Sequence, residues 1–203
     1  KAVTVNVTDA NEGPVFASST QSVSTSENQT GSIAIEGARD VDAGDGLTYS
    51  LGGSDASLFN IDASTGALSF KSAPDYENPA SAAGTNAYRV DVTATDGGGL
   101  SATKAVTVNV TDANEGPVFA STSETVTIAE NQTGPIAIAP ARDPEGSIVS
   151  YRLSGVDASL FNIDASSGAL SFKSAPDYEN PGSAAGTNAY SVNLIATDAS
   201  GMT

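Results

Sequence analysis

The sequence predicts an all-β fold built as two β-sandwiches in tandem, and three observations predict it. The first is a duplication: KAVTVNVTDANEGPVFAS at Lys1–Ser18 returns at Lys104–Ser121, and Leu58–Tyr88 returns as Leu160–Tyr190 with two changes. A period near one hundred residues is too long for a solenoid unit and fits independently cored domains. The second is alternation of period two in VTVNV (Val106–Val110) and YRVDVTAT (Tyr88–Thr95), the pattern of half-buried strands. The third is the lack of any stretch with sustained 3.6-residue periodicity and helix caps.

Lys1–Thr8 repeats Lys104–Thr111 and is expected to be the last strand of a preceding repeat that is otherwise absent. Residues 9–14 then form a linker, 15–111 the first domain, 112–117 a second linker, and 118–203 a second domain that lacks its own last strand. Within a domain, LTYSL (Leu47–Leu51), LFNI (Leu58–Ile61) and ALSF (Ala67–Phe70) are short strand-forming runs bounded by turn residues. Ala73–Asn86 is a long connection rich in small residues, and Gly97–Gly99 marks a tight turn into the last strand. Such elements fold as an antiparallel sandwich. The copies differ in length by one residue, where DVDAGDGLTYSLGGSD becomes DPEGSIVSYRLSGVD. The six Tyr and six Phe recur at matching positions and are expected in the cores.

Composition removes whole classes of function. The 203 residues hold 24 acidic and 8 basic side chains and no histidine, for a net charge of −16. That surface repels nucleic-acid phosphates and anionic lipid headgroups and collects cations. The absence of cysteine and histidine removes disulfides, thiolate zinc, Ser-His-Asp catalysis and most transition-metal sites. Lys1–Thr8 alternates apolar and polar residues, unlike a signal peptide, and no apolar run approaches a membrane span.

The acids fall in five spaced groups: Asp112-Ala-Asn114-Glu115-Gly-Pro117; Glu27-Asn28 with Glu130-Asn131; Asp40-Val-Asp42 with Asp143-Pro-Glu145; Asp75-Tyr-Glu77 with Asp177-Tyr-Glu179; and Ala94-Thr-Asp96 with Ala196-Thr-Asp198. In an extended chain, side chains two apart point the same way. Asp75 and Glu77, or Asp40 and Asp42, can then offer two carboxylates to one point. Many oxygen ligands without nitrogen or sulfur suit calcium, which takes 6–8 oxygens, better than magnesium.

These residues resemble the cadherin repeat. The resemblance rests on Glu27-Asn28, the Asp40/Asp42 pair, the run Phe59-Asn-Ile61-Asp62-Ala-Ser-Thr65-Gly66-Ala-Leu68, the Asp75/Glu77 pair, Asp96, and the Asp112–Pro117 linker. It is nearest to the cadherin-like repeats of very large bacterial surface adhesins, and it covers essentially the whole chain. It implies immunoglobulin-like Greek-key sandwiches with about three calcium ions at each complete domain junction. At the central junction it implies ligands from Glu27, Asp75, Glu77, Asp112, Asn114, Glu115, Asp143, Glu145 and Asp198, with the carbonyls of Ala113 and Gly116. At the start of the first domain it implies Asn11, Gly13, Asp40, Asp42 and Asp96. The linker departs from the family in Glu115 and Gly116 and is one residue shorter before Pro117.

Charge arithmetic agrees. Glu27, Asp75, Glu77, Asp112, Glu115, Asp143, Glu145 and Asp198 bring eight negative charges to one junction. Like charges about 4 Å apart repel by roughly 4 kcal/mol at an effective dielectric of 20. Three divalent ions offset most of that charge, and calcium then stiffens the linker. Affinities near 10⁻⁴–10⁻³ M suit a calcium-rich exterior.

The ends leave two readings open: a chain trimmed from a longer one, or head-to-tail completion. In the second, Lys1–Thr8 of one copy fills the missing strand position of another. Asp9, Asn11 and Glu12 then meet that neighbour's Glu130, Asp177 and Glu179. The expected function is a calcium-dependent adhesion or extender module of an extracellular, cell-surface protein, partnered by neighbouring repeats and able to support homophilic contact. A carbohydrate-binding module acting on surface glycans is the alternative, with Tyr151 as an exposed ring. The chain is not expected to be an enzyme.

Overall fold

A computed structural model describes residues 1–42, 46–146, 148 and 150–203. The chain divides into two compact units, Lys1–Ala113 and Asn114–Thr203. The site of the one-residue length difference includes residues 43–45, which lie outside the described residues.

In the first unit the strands are β1 (Thr20–Ser26), β2 (Thr48–Gly52), β3 (Phe59–Ile61), β4 (Leu68–Phe70), β5 (Ala87–Thr95) and β6 (Ser101–Thr111). One sheet has the order β1-β6-β5-β2. The short β3–β4 pair, bridged at Ile33 to Leu68, supplies the second layer. Alternation along β5 and β6 turns Tyr88, Val90, Val92, Ala94, Val106, Val108 and Val110 into one core, none of them more than 4% exposed. Phe59 and Phe70 stack at 4.2 Å from the facing layer, and Tyr88 meets both edge-on.

One pairing corrects the purely antiparallel expectation. β1 runs parallel to β6, with Val23 opposite Val108. Val15 first pairs with Arg39, and the chain then crosses over to run alongside β6 in the same direction. β6 also carries Lys104 on its core-facing side, fully buried. Its ammonium donates to the Glu36 carbonyl at 3.0 Å, Gln21 Oε1 at 3.3 Å and Glu36 Oε2 at 3.4 Å. It also lies 4.9 Å from the Phe16 ring centroid, so the buried charge is paired rather than isolated.

The β3–β4 turn explains the Asp62–Gly66 motif. Asp62 Oδ1 accepts from Ser64 N at 2.9 Å, Ser64 Oγ at 2.6 Å and Thr65 N at 2.8 Å. Gly66 has φ +73°, and a Cβ there would stand 3.1 Å from the Tyr49 ring. Gly66→Ala therefore meets both backbone strain and a ring, and we expect a loss of about 1–3 kcal/mol in urea unfolding. Gly84, at φ +64° with open space around it, is the control; its alanine variant should cost only the smaller backbone penalty, about 1 kcal/mol. Equal losses at the two positions would remove the ring from the explanation.

The same donors set a pH dependence. The hydroxyl of Ser64, then the backbone N–H groups of Thr65 and Ser64, hold the Asp62 carboxyl down at about 2. Ser166 and Ser167 do the same for Asp164, also about 2. An unfolded aspartate titrates near 3.9. Because the folded value is depressed, the stabilisation is present above about pH 4 and is lost as pH falls toward 2. Carboxyl chemical shifts followed by NMR should show both residues titrating late, with Ser64→Ala moving Asp62 back up while Asp164 stays.

The second unit contains β7 (Ser150–Ser154), β8 (Phe161–Ile163), β9 (Leu170–Phe172) and β10 (Asn193–Thr197). β10 pairs with β7 and β8 with β9, all antiparallel. Among the described residues no strand corresponds to β1 or β6, and β10 has five residues where β5 has nine. The core is correspondingly divided. Ala141, Tyr151 and Ala196 form one cluster, and Phe161, Leu170 and Phe172 another.

Lys1–Thr8, expected as a strand, forms none, and Val3, Val5 and Val7 are 72%, 79% and 92% exposed. The reason is partnership. The same octapeptide is a strand at Lys104–Thr111 because it lies hydrogen-bonded between β1 and β5, whereas Lys1–Thr8 has no sheet edge beside it. Two of the twelve aromatic residues also leave the core: Tyr76 is 36% exposed and Tyr178 64% exposed.

Candidate metal centre

Residues 9–13 of the first unit fold back over the β5–β6 turn and the Asp40–Asp42 segment. Asp96, at the end of β5 and 7% exposed, accepts Leu100 N at 2.8 Å and the Asn11 amide at 3.0 Å. Burial pushes its carboxyl up, but the Asn11 donor and the turn N–H groups outweigh that and hold it below the usual aspartate value. Glu12 N donates to Asp42 Oδ2 at 2.8 Å, and Asp42 N to Asp40 Oδ1 at 3.0 Å. Carboxylate oxygens of Asp9, Glu12 and Asp42 lie within 4.8 Å of one another. The Asp42 charge, then burial and the Asp9 charge, push the Glu12 carboxyl above its ordinary value. Gly13 lies against Leu100, where a Cβ would be 3.2 Å from Leu100 Cβ.

At the other end of the first unit Glu27 is 1% exposed. Its Oε2 accepts Tyr76 N at 2.7 Å and its Oε1 accepts Ala113 N at 2.9 Å. Glu77 brings a carboxylate oxygen within 4.8 Å of one from Glu27, and within the same distance of one from Asp112. The side-by-side argument for Asp75 and Glu77 needs correction. Their segment is an irregular bend, not a strand, and Asp75 Oδ1 is spent on the turn, accepting Asn78 N at 2.8 Å. Among the described residues Asp75 joins none of the close carboxylate groups.

The second unit repeats the first arrangement with altered residues. Asp198, 3% exposed, accepts the Asn114 amide at 2.7 Å and Met202 N at 2.7 Å. Asn114 foremost holds the Asp198 carboxyl below its usual value, against burial. Glu115 N donates to Glu145 Oε2 at 3.3 Å, the role that Asp42 plays toward Glu12. Asp143 is half-buried. Gly116 has room for a Cβ, whose nearest neighbour would be Met202 Cβ at 3.5 Å. Farther along, Glu130, Asp177 and Glu179 converge within 4.8 Å, all exposed. Glu130 Oε2 takes Tyr178 N at 2.9 Å.

The oxygen donors around Asp40–Asp42 in the first unit and around Asp143–Glu145 in the second fit a hard cation. Buried Asp40 Oδ2 and Glu145 Oε1 accept no hydrogen bond among the described residues. A buried, unsatisfied carboxylate oxygen is costly, and a divalent ion bound through oxygens is the ligand that would satisfy it.

Sequence reasoning assigned Asp9 and Glu12 only to a neighbouring molecule's site, whereas they sit beside Asp42 of their own unit. It missed Asp55 and Asp157, both buried. Asp55 accepts Ala82 N and Arg89 N, each at 2.6 Å, pinning the long connection to β5. An acid four residues before Phe59, and again before Phe161, was the available signal. The proposed sugar platform loses its ring, since Tyr151 is 6% exposed and packs under Gly168.

A family model described as a bacterial Ig domain matches residues 3–109. Among solved structures, a human protocadherin-24 EC1-2 fragment is 26% identical with a TM-score of 0.57, the match covering 95% of this chain and 90% of that one. The human desmocollin-1 ectodomain is 25% identical with a TM-score of 0.52, covering 96% and 36%. Mouse cadherin-23 EC22-24 is 22% identical with a TM-score of 0.54, covering 94% and 61%. The chain thus spans less than two thirds of the cadherin-23 and desmocollin structures. The all-β, immunoglobulin-like fold of the sequence reading is the fold of these cadherin ectodomains.

Proposed function

We propose, from the premise that this chain belongs to the bacterial Ig domain family, that its cadherin-like sandwiches are calcium-stiffened spacer repeats of a cell-surface adhesion protein. The observation that carries this reading is a buried carboxylate oxygen left without a hydrogen bond among the described residues in the matching acidic segment of each unit, Asp40 Oδ2 in Asp40–Asp42 and Glu145 Oε1 in Asp143–Glu145.

Glu27, Glu77, Asp112, Glu115, Asp143, Glu145 and Asp198 are the proposed ligands around the central linker, with Asp75, Asn114 and the carbonyls of Ala113 and Gly116 completing the shells. Asp112–Ala113 ends one unit and Asn114–Glu115 begins the next, so the acids of each unit are tied covalently to one short segment. Calcium, with its 6–8 oxygens and tolerance of irregular geometry, suits such a set. Asn11, Gly13, Asp40, Asp42 and Asp96, with Asp9 and Glu12, would hold ions at the start of the first unit. Glu130, Asp177 and Glu179 would serve the end of the second.

Ions bound on both sides of the linker would restrict the angle between the units, which is what a spacer requires. A weak site of this class fills outside the cell and empties in cytosol. Among the described residues no helix is long and apolar enough to cross a membrane. Small-angle scattering in millimolar calcium and in chelator tests the proposal. Calcium should narrow the distribution of intramolecular distances and lengthen the particle. Superimposable curves, together with no heat in a calcium titration, would sink it. Calcium-dependent clustering of beads coated with the chain would extend the reading to homophilic contact.

A further inference from the structure

The core of the first unit holds a nucleophile that the calcium reading does not use. Lys104 on β6 is 0% exposed, and its amine ends among three groups. Glu36 Oε2 lies 3.4 Å from Nζ, on a side chain that is 57% exposed. Gln21 Oε1 lies 3.3 Å from Nζ, and the same oxygen accepts the Glu36 backbone N–H at 2.9 Å. The Phe16 ring, 9% exposed, covers the ammonium at 4.9 Å. A buried ion pair adds little stability compared with apolar residues of similar volume, so stability alone does not account for this set.

Together these groups are the parts of an amide exchange. Lys104 is an amine nucleophile, and the Gln21 carboxamide is an acyl group. The Glu36 carboxylate is a proton carrier in contact with the amine. The Glu36 N–H already faces the oxygen on which negative charge would develop. A C=O bond is about 1.2 Å long, so Gln21 Cδ is held within about 4.5 Å of Nζ. Folding thereby replaces a bimolecular encounter with a fixed one. The set belongs to the first unit, because the matching places in the second hold Glu124 for Gln21 and Ala139 for Glu36.

We propose that Lys104 and Gln21 join in an intramolecular isopeptide bond, formed by the folded first unit itself. The Lys104 ammonium passes one proton to Glu36 Oε2. The freed Nζ lone pair attacks Gln21 Cδ, and the Glu36 N–H meets the charge on Oε1. Collapse then breaks the bond from Cδ to Nε2. The departing nitrogen takes the proton from Glu36 and a second from Nζ, and it leaves as ammonium past the exposed Glu36 side chain. One amide replaces another, so no oxidant or cofactor enters, and Glu36 ends as the carboxylate it began as. The bond ties β1 to β6. Tension entering the unit before β1 and leaving after β6 passes through it, and residues 22–103 are spared that load. Closing so long a loop also constrains the unfolded chain, as a disulfide does.

Intact-mass spectrometry of the full chain, folded in EDTA, tests this without calcium, so its failure is separable from failure of the calcium reading. The mass should be lower by one ammonia. Trypsin applied after denaturation should leave Lys104 uncut and release one branched peptide joining the segments of Gln21 and Lys104, which separates this bond from ammonia lost elsewhere. Lys104→Met, which supplies no amine, should keep the full mass. Glu36→Gln alters a mostly exposed side chain, so the circular dichroism of the folded chain should be kept. Bond formation followed from refolding should nevertheless slow by about a hundredfold or more. A folded parent chain of full mass, with Lys104 cut by trypsin, would overturn the proposal. So would a bond that forms in Glu36→Gln at the parent's rate.

Discussion

Calcium at about 10 mM should stabilise the metal-free chain by about 2.7 kcal/mol for each site with a Kd near 10⁻⁴ M. On the proposed reading calcium would bind the assembled ligands and not the unfolded chain, so its binding energy would add to folding energy. EDTA should return the melting curve to its starting position. Asp112→Asn and Glu77→Gln each remove one charge from a group already crowded within 4.8 Å. Without calcium they should be neutral or slightly stabilising, because like-charge repulsion falls. With calcium they should lose most of the increment. A melting temperature indifferent to calcium in the parent chain, or variants whose calcium response equals the parent's, would contradict the assignment.

Tyr88→Ala should cost about 3–5 kcal/mol, the range for removing a large buried aromatic side chain. Tyr88 is 1% exposed, meets Phe59 and Phe70 edge-on, and accepts the Ala80 N–H at 3.2 Å through its hydroxyl. Tyr190 makes the same ring contacts with Phe161 and Phe172, and its hydroxyl accepts Gly182 N at 3.2 Å. It is only half-buried, however, so less apolar area returns to water when it is truncated. Tyr190→Ala should cost roughly half as much in the monomeric chain, on area alone. Urea unfolding of the two variants, followed by NMR signals resolved for each unit, measures the difference. Equal costs would contradict the area argument.

Much of the fold was legible because strands announce themselves through side-chain alternation. Tyr88–Thr95 and Val106–Val110 lie within β5 and β6, and the last three residues of LFNI and of ALSF form the short second layer. The parallel β1–β6 pairing was not legible, because alternation specifies a strand's faces but not its neighbour's direction. The ligand chemistry was legible as residue type and spacing. The spacing argument failed at Asp75-Tyr-Glu77, where a bend replaces the extended chain it assumes. It also passed over Asp55, whose importance lies in the two N–H groups it accepts from distant segments.

Taken alone, the amino-acid order determined the duplication, the all-β class and an acidic, oxygen-only set of donors, since these are properties of composition and local period. Tertiary structure alone decided what identical segments become. KAVTVNVT is a buried strand at Lys104–Thr111 and exposed chain at Lys1–Thr8. Glu27 is buried while its counterpart Glu130 is exposed. The physical reason is that a strand's hydrogen bonds and a side chain's burial are supplied by whatever lies beside them, and no local stretch of sequence encodes its own neighbour.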